Sequence, residues 1–205
     1  MSATQEVNRF MTTASWQEYG KFLEAVGDRP VRVTYDQGSL EIMSPSTEHE
    51  RVKSWLRALA EGVLTARGLD YIPGGSTTFR REDLQRGLEP DECYWIANFE
   101  AVRHTPEVDL DRDPPPDLVL EIDISRSSIN RLEVYRSMGV PEVWLYRKTG
   151  IEVHLLQGDG TYAISASSAI FTDIPMVEFT RHLEIARQTS ISRAVRALCS
   201  TVGGS

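Results

Sequence analysis

The chain has 205 residues, 40% of them hydrophobic and 25% charged, and a formal net charge of -8 at pH 7. That size allows one domain with a closed core, and no apolar run approaches the roughly 18 residues a membrane span needs. The acidic balance argues against a chain whose main task is non-specific nucleic-acid binding, which needs Lys and Arg to neutralise phosphates, but it leaves room for an acidic site loaded with metal. Cys93 and Cys199 offer neither a disulfide framework nor metal-ligand spacing, and the N-terminal MSATQEVNRFMTTAS lacks a basic segment followed by an apolar one. A reduced, cytoplasmic protein without a secretory signal is expected.

Ser15 and Glu18 have the spacing of a capping box, and Trp16, Tyr19, Phe22, Leu23 and Val26 recur at helical intervals, which predicts a first helix ending near Gly27. VRVTYDQGSLEIM then reads as a hairpin around an Asp-Gln-Gly turn. Thr47 and Glu50 repeat the capping-box spacing ahead of a long helix with Val52, Trp55, Leu56, Leu59 and Val63 on one face, stopping near Gly68. A short strand around Thr77 to Phe79, the basic polar connection RREDLQRG and the strand EPDECYWI follow. A proline-rich loop leads into DLVLEIDI, after which Ser127 or Ser128 is placed to cap a helix running to Met138 and closed by Gly139 and Pro141. EVWLYR, IEVHLL and TYAISA are further strands, and residues 176–205 read as a tail of two helices. No repeat or low-complexity linker divides residues 1–205, so the expected fold class is one α/β domain, a mixed sheet flanked by helices.

Chemistry concentrates in two of these strands. Strand side chains alternate between faces, so Leu118, Leu120, Ile122 and Ile124 point one way while Asp117, Val119, Glu121 and Asp123 point the other. If EPDECYWI pairs with this strand, Asp91 lies beside Glu121, roughly 5 Å away between opposed Cβ atoms. Carboxylates that close repel unless one is protonated or a cation compensates them. A divalent metal is one such cation, since Mg²⁺ takes oxygen ligands from one or two carboxylates, water and substrate phosphates. An arginine from another element, making a structural ion pair, is the other, and Asp123 has Arg126 and Arg131 close in sequence. Glu92 points away from Asp91 and reads as structural, while Cys93 beside Trp95 reads as core. Arg80, Arg81 and Arg86 either contact a nucleic-acid backbone or form a solvated loop balanced by Glu82 and Asp83.

EPDECYWI, PPPDLVLEIDI and the later YRSMGVPEVW, together with LEIMSPSTEHERV before the long helix, resemble the Uma2 family (DUF820) of the PD-(D/E)XK nuclease superfamily over most of the chain. The resemblance implies a restriction-endonuclease-like fold and a metal-dependent endonuclease hydrolysing DNA phosphodiester bonds with Mg²⁺ or Mn²⁺. Carried over, the Pro-Asp pair falls on Pro90 and Asp91 and the second acid on Glu121, making Asp91, Glu121 and Asp123 the implied metal ligands. The lysine usual two residues after that acid is Asp123 here. The basic residue such sequences carry on the next helix falls on Arg131, the histidine of the long helix on His49, and the acid of the first strand on Thr34. Lys53, one turn after His49, is a surrogate basic residue. Arginine stays protonated, so Arg131 can offset phosphate charge but cannot act as a base, which leaves Asp123 or His49 as the proton acceptor. A homodimer would let two sites address both strands. The alternative is a catalytically inactive nuclease-fold module serving protein association or nucleic-acid binding, its carboxylates locked in ion pairs.

Overall fold

The computed structural model describes residues 8–27, 29–124 and 127–202. Strand β1 (Asn8–Thr13) leads into helix α1 (Trp16–Val26), whose capping box is complete: Ser15 Oγ accepts from the Glu18 N–H and the Glu18 carboxylate accepts from the Ser15 N–H. The predicted hairpin is β2 (Arg32–Asp36) and β3 (Ser39–Ser44), with Gln37 and Gly38 both at positive φ (46° and 97°) in the turn. Helix α2 (Thr47–Ala66) follows, capped by Ser46 rather than Thr47. Ser46 is the residue with extended backbone, and its hydroxyl accepts from the His49 N–H, whereas Thr47 already lies inside the helix.

The next strands are β4 (Ile72–Pro73), β5 (Phe79–Arg81), β6 (Arg86–Leu88) and β7 (Glu92–Trp95). The predicted basic connection is thus mostly a tight hairpin, in which Phe79 pairs with Leu88 and Arg81 with Arg86. Its arginines are spoken for: Arg86 pairs with Asp36 and Glu133, Arg81 with Asp83 and Asp111, and Arg80 lies over the ring of Trp16. A short helix α3 (Phe99–Val102) and strand β8 (Leu118–Ile122) come next. Helix α4 (Arg131–Ser137) is capped by Asn130, whose side chain accepts from the Glu133 N–H. Neither Ser127 nor Ser128 caps it, because the Ser127 hydroxyl and the Ser128 N–H both donate to Glu41. Strands β9 (Glu142–Arg147), β10 (Gly150–Leu156) and β11 (Tyr162–Ser165) precede helices α5 (Met176–Gln188) and α6 (Ile191–Val202).

Two sheets result. A five-stranded antiparallel sheet runs β1-β3-β2-β6-β5, and a six-stranded mixed sheet runs β11-β10-β9-β8-β7-β4. Only β8 and β9 are parallel within the latter, joined by a crossover through α4. The alternation expected of β8 is present. Leu118, Leu120 and Ile122 join the core closed by α2, α5 and α6, while Val119 packs with Cys93, Trp95 and Val143 against Val134, Tyr135 and Met138 of α4 and its C-cap. The architecture is a mixed α/β fold, as the periodicities required. Strand β1 was not anticipated, since NRFMTT has little of its own to mark it and owes its order to β3.

Candidate active site

Asp91 stands one residue before β7. The antiparallel register, Glu92 opposite Leu120, continues by one step to set Asp91 opposite Glu121. Asp91 is 2% exposed and Glu121 6% exposed, so neither carboxylate is paid off by water. The Asp91 Oδ2 accepts from the Ile122 N–H at 2.8 Å, which pins it to the end of β8. Its charge faces two cations: His49 Nε2 lies 3.1 Å from Oδ2, and Arg32 Nε 3.8 Å from Oδ1.

Glu121 meets a fixed cation. Arg131, the first residue of α4, donates from Nε to Oε2 at 3.1 Å and from a terminal nitrogen to Oε1 at 2.5 Å, a bidentate pair. Tyr135, one turn later, donates its hydroxyl to the same Oε1. The remaining Arg131 donors are engaged by the Glu89 carbonyl at 2.7 Å and by Thr34 Oγ1. Thr34, where the resemblance puts an acid, therefore buttresses Arg131.

These contacts set the protonation states. Burial resists charge on His49, but Asp91, helped by Glu50 and Glu121, outweighs it and lifts the imidazole above its ordinary 6.5. Burial likewise resists charge on Asp91, yet His49, Arg131 and the Ile122 N–H bring its carboxyl below the ordinary 3.8. Glu121 moves the other way, because burial and the neighbouring Asp91 together exceed the pull of Arg131. Burial also opposes charge on Arg131, but Glu121 holds its pKa well above the arginine range, so it is a permanent cation.

His49, Asp91, Glu121 and Arg131 thus come together. Asp123 does not join them directly; its carboxylate faces Arg147 Nε at 3.6 Å and a terminal nitrogen of Arg9 at 4.0 Å. Arg126, the alternative partner for Asp123, lies outside the described residues. Lys53 pairs with Glu50 at 3.5 Å instead of reaching Asp91 or Glu121. Glu92 points to the other face and pairs with Arg57 of α2 at 3.2 Å.

A cleft of about 310 Å³ opens between the two sheets above Glu121, with the start of α4 as its floor. Its walls follow from strand alternation: Arg32 and Thr34 of β2 face it with their cross-strand partners Met43 and Glu41, and Val143, Leu145 and Arg147 face it from β9. Arg9, opposite Met43 on β1, completes the rim and donates to Glu41 at 2.8 Å. Arg9, Arg32 and Glu41 escaped the reading of the sequence. The alternation Arg32, Thr34 in an otherwise apolar strand was the available signal for one of them.

Asp91 and Glu121 offer the oxygen donors that Mg²⁺ takes. Among the described residues, however, no group of three or more His, Cys, Asp or Glu is placed to hold a metal ion. The donor set fits a cation carried largely by water and substrate, and not an all-protein cage.

A family model described as "Putative restriction endonuclease", Uma2, matches residues 16–186. A crystal structure titled as a "putative nuclease belonging to DUF820" from Anabaena variabilis superposes with a TM-score of 0.58 at 15% identity, covering 83% of this chain and 99% of that one. At that identity the likeness is one of fold. No curated protein matches the chain.

Proposed function

The chain belongs to the Uma2 family, and from that premise we propose that it hydrolyses phosphodiester bonds in DNA at the site formed by Asp91, Glu121, His49 and Arg131. The observation that carries this reading is the pairing of two buried carboxylates, Asp91 and Glu121, opposite one another where β7 and β8 meet, with Glu121 facing an arginine-rimmed cleft. That pair would hold a divalent cation, Mg²⁺ or Mn²⁺, which when bound lowers the pKa of a water nucleophile and offsets charge on the phosphate. Arg131 supplies a fixed positive charge beside the reacting phosphoryl group, preorganised by Thr34, Glu89 and Tyr135. It cannot take a proton from water. His49, within reach of Asp91, accepts one only when neutral, and Asp123 is the other acceptor on the cleft wall. The rim arginines Arg9, Arg32 and Arg147 position the backbone without reading sequence.

One observation favours a second reading, a nucleic-acid-binding module that does not cut. Both oxygens of Glu121 are already satisfied by Arg131 and Tyr135, so the buried carboxylate has its cation without a metal. Substitution of Arg131 separates the two. Under the hydrolytic reading, Arg131→Met lowers single-turnover cleavage of a labelled oligonucleotide by about 10²–10³-fold, as loss of one charge-stabilising donor does. Arg131→Lys, which keeps the charge, retains much of the rate. Arg131→Met also strands Glu121 and costs on the order of 3–5 kcal/mol of stability, so its cleavage is measured below its own melting point. Binding without cleavage in the wild type, with Mg²⁺ or Mn²⁺ present, selects the second reading.

A further inference from the structure

The cleft constrains which form of DNA can reach the site. Its walls are of two kinds. Arg9, Arg32 and Arg147 lie on the rim, and Met43, Ile129 and Leu145 form an apolar lining within. About 310 Å³ is at the low end of ligand pockets, which run from roughly 300 to 1,000 Å³. Glu121 faces the cleft at 6% exposure, and Asp91, at 2%, lies beside Glu121 and off the cleft wall. A duplex carries its phosphates on the outside of a stiff rod and keeps its bases stacked inside. It cannot lower one phosphodiester between two sheets to groups this buried. An unpaired nucleotide can, with its base against apolar side chains and its phosphate on arginine.

Arg32 gives a second, independent sign of an anionic occupant. Its Nε is buried and makes no hydrogen bond, with Asp91 Oδ1 standing 3.8 Å from it and Glu50 3.8 Å from a terminal nitrogen. A guanidinium whose acidic neighbours stand beyond hydrogen-bond distance keeps donor capacity, and a phosphate oxygen entering the cleft would take it up.

Resting on the nuclease reading, we infer that the cleft accepts a single unpaired nucleotide and that the preferred substrate is a single-stranded segment of DNA, not an intact duplex. The base of that nucleotide packs against Met43, Ile129 and Leu145, and Arg32 binds its phosphate. Unpaired DNA enters without the unstacking energy that a paired base must first spend.

Fluorescence anisotropy in EDTA, with a labelled single-stranded oligonucleotide and the blunt duplex of the same sequence, tests this without any need for turnover. The single strand should bind at least about tenfold tighter than the duplex. Arg32→Gln should weaken single-strand binding by roughly ten- to a hundredfold, the loss expected for one hydrogen bond to a charged group. Leu145→Phe, which narrows the cavity, should erase the preference between strands. If either variant fails to fold, competition on the wild type decides: a deoxynucleoside 5′-monophosphate should displace the single strand. Equal or tighter binding of duplex overturns the inference, and so does a single-strand preference that neither the substitutions nor the mononucleotide disturbs. Cleavage of duplex with the single strand untouched defeats this inference alone. Neither form bound nor cut defeats the nuclease reading beneath it.

Discussion

At the scale of residues, the candidate site is an exercise in neutralising buried carboxylates. Asp91 is balanced by His49 and Arg32, Glu121 by Arg131, and Asp123 by Arg9 and Arg147. The His49–Asp91 pair makes stability depend on pH in metal-free buffer. The His49 pKa is raised in the fold, so its contribution is complete below about 6.5, the unfolded value, and is lost as pH climbs through the raised one. The Asp91 pKa is lowered, so its contribution is present above 3.8 and is lost as pH falls through the lowered one. Urea titrations in EDTA across this range should show the wild type losing stability on the alkaline side, with His49→Gln flat there. A wild-type slope unchanged in His49→Gln would mean the pair is not the source. The positions of Asp91 and Glu121 were legible, because Pro-Asp entering a strand and an acid inside DLVLEIDI both break an apolar pattern. The identity of the cation was not. Arg131 sits at a helix start where arginines are usually solvated, and what buries it is contact with Thr34 and Glu89, far away in sequence.

At the scale of elements, the site depends on how α4 is hung between the sheets. The segment before α4 is held by Glu41 of β3, a carboxylate 2% exposed that accepts from Arg9, the Ser127 hydroxyl and the Ser128 N–H. One residue of the first sheet thereby fixes the helix that carries Arg131 and Tyr135. Glu41→Ala should cost about 1–3 kcal/mol by leaving those donors without an acceptor, and amides at the start of α4 should exchange faster than those of α2. Unaltered exchange in α4 would show that Asn130 alone positions the helix. Helix and strand identities were mostly readable because they rest on local periodicity, as the complete Ser15–Glu18 capping box illustrates. Ser127 looked like the cap of α4 for the same local reason. Its hydroxyl goes instead to Glu41, 86 residues earlier, a competition that no local pattern records.

At the scale of the whole molecule, two sheets meet at a cleft, with α2, α5 and α6 closing the opposite face of the larger one. The mixed α/β class and the run of strands and helices were legible. The division into two sheets was not, since which strands pair is decided by burial across the fold, and β1 becomes a strand only beside β3. On the proposed function, the net charge of -8 leaves DNA binding to a local cluster, Arg9, Arg32, Arg131 and Arg147, and binding should weaken steeply with salt. The central question is whether the buried pair Asp91 and Glu121, the latter facing this cleft, does chemistry. The direct measurement is nicking of supercoiled plasmid by purified wild type, Asp91→Ala and Glu121→Ala with Mg²⁺, Mn²⁺ or EDTA. The account predicts metal-dependent nicking by the wild type that is lost in both variants and in EDTA. Equal activity in all three preparations, or none from a folded wild type, would contradict it.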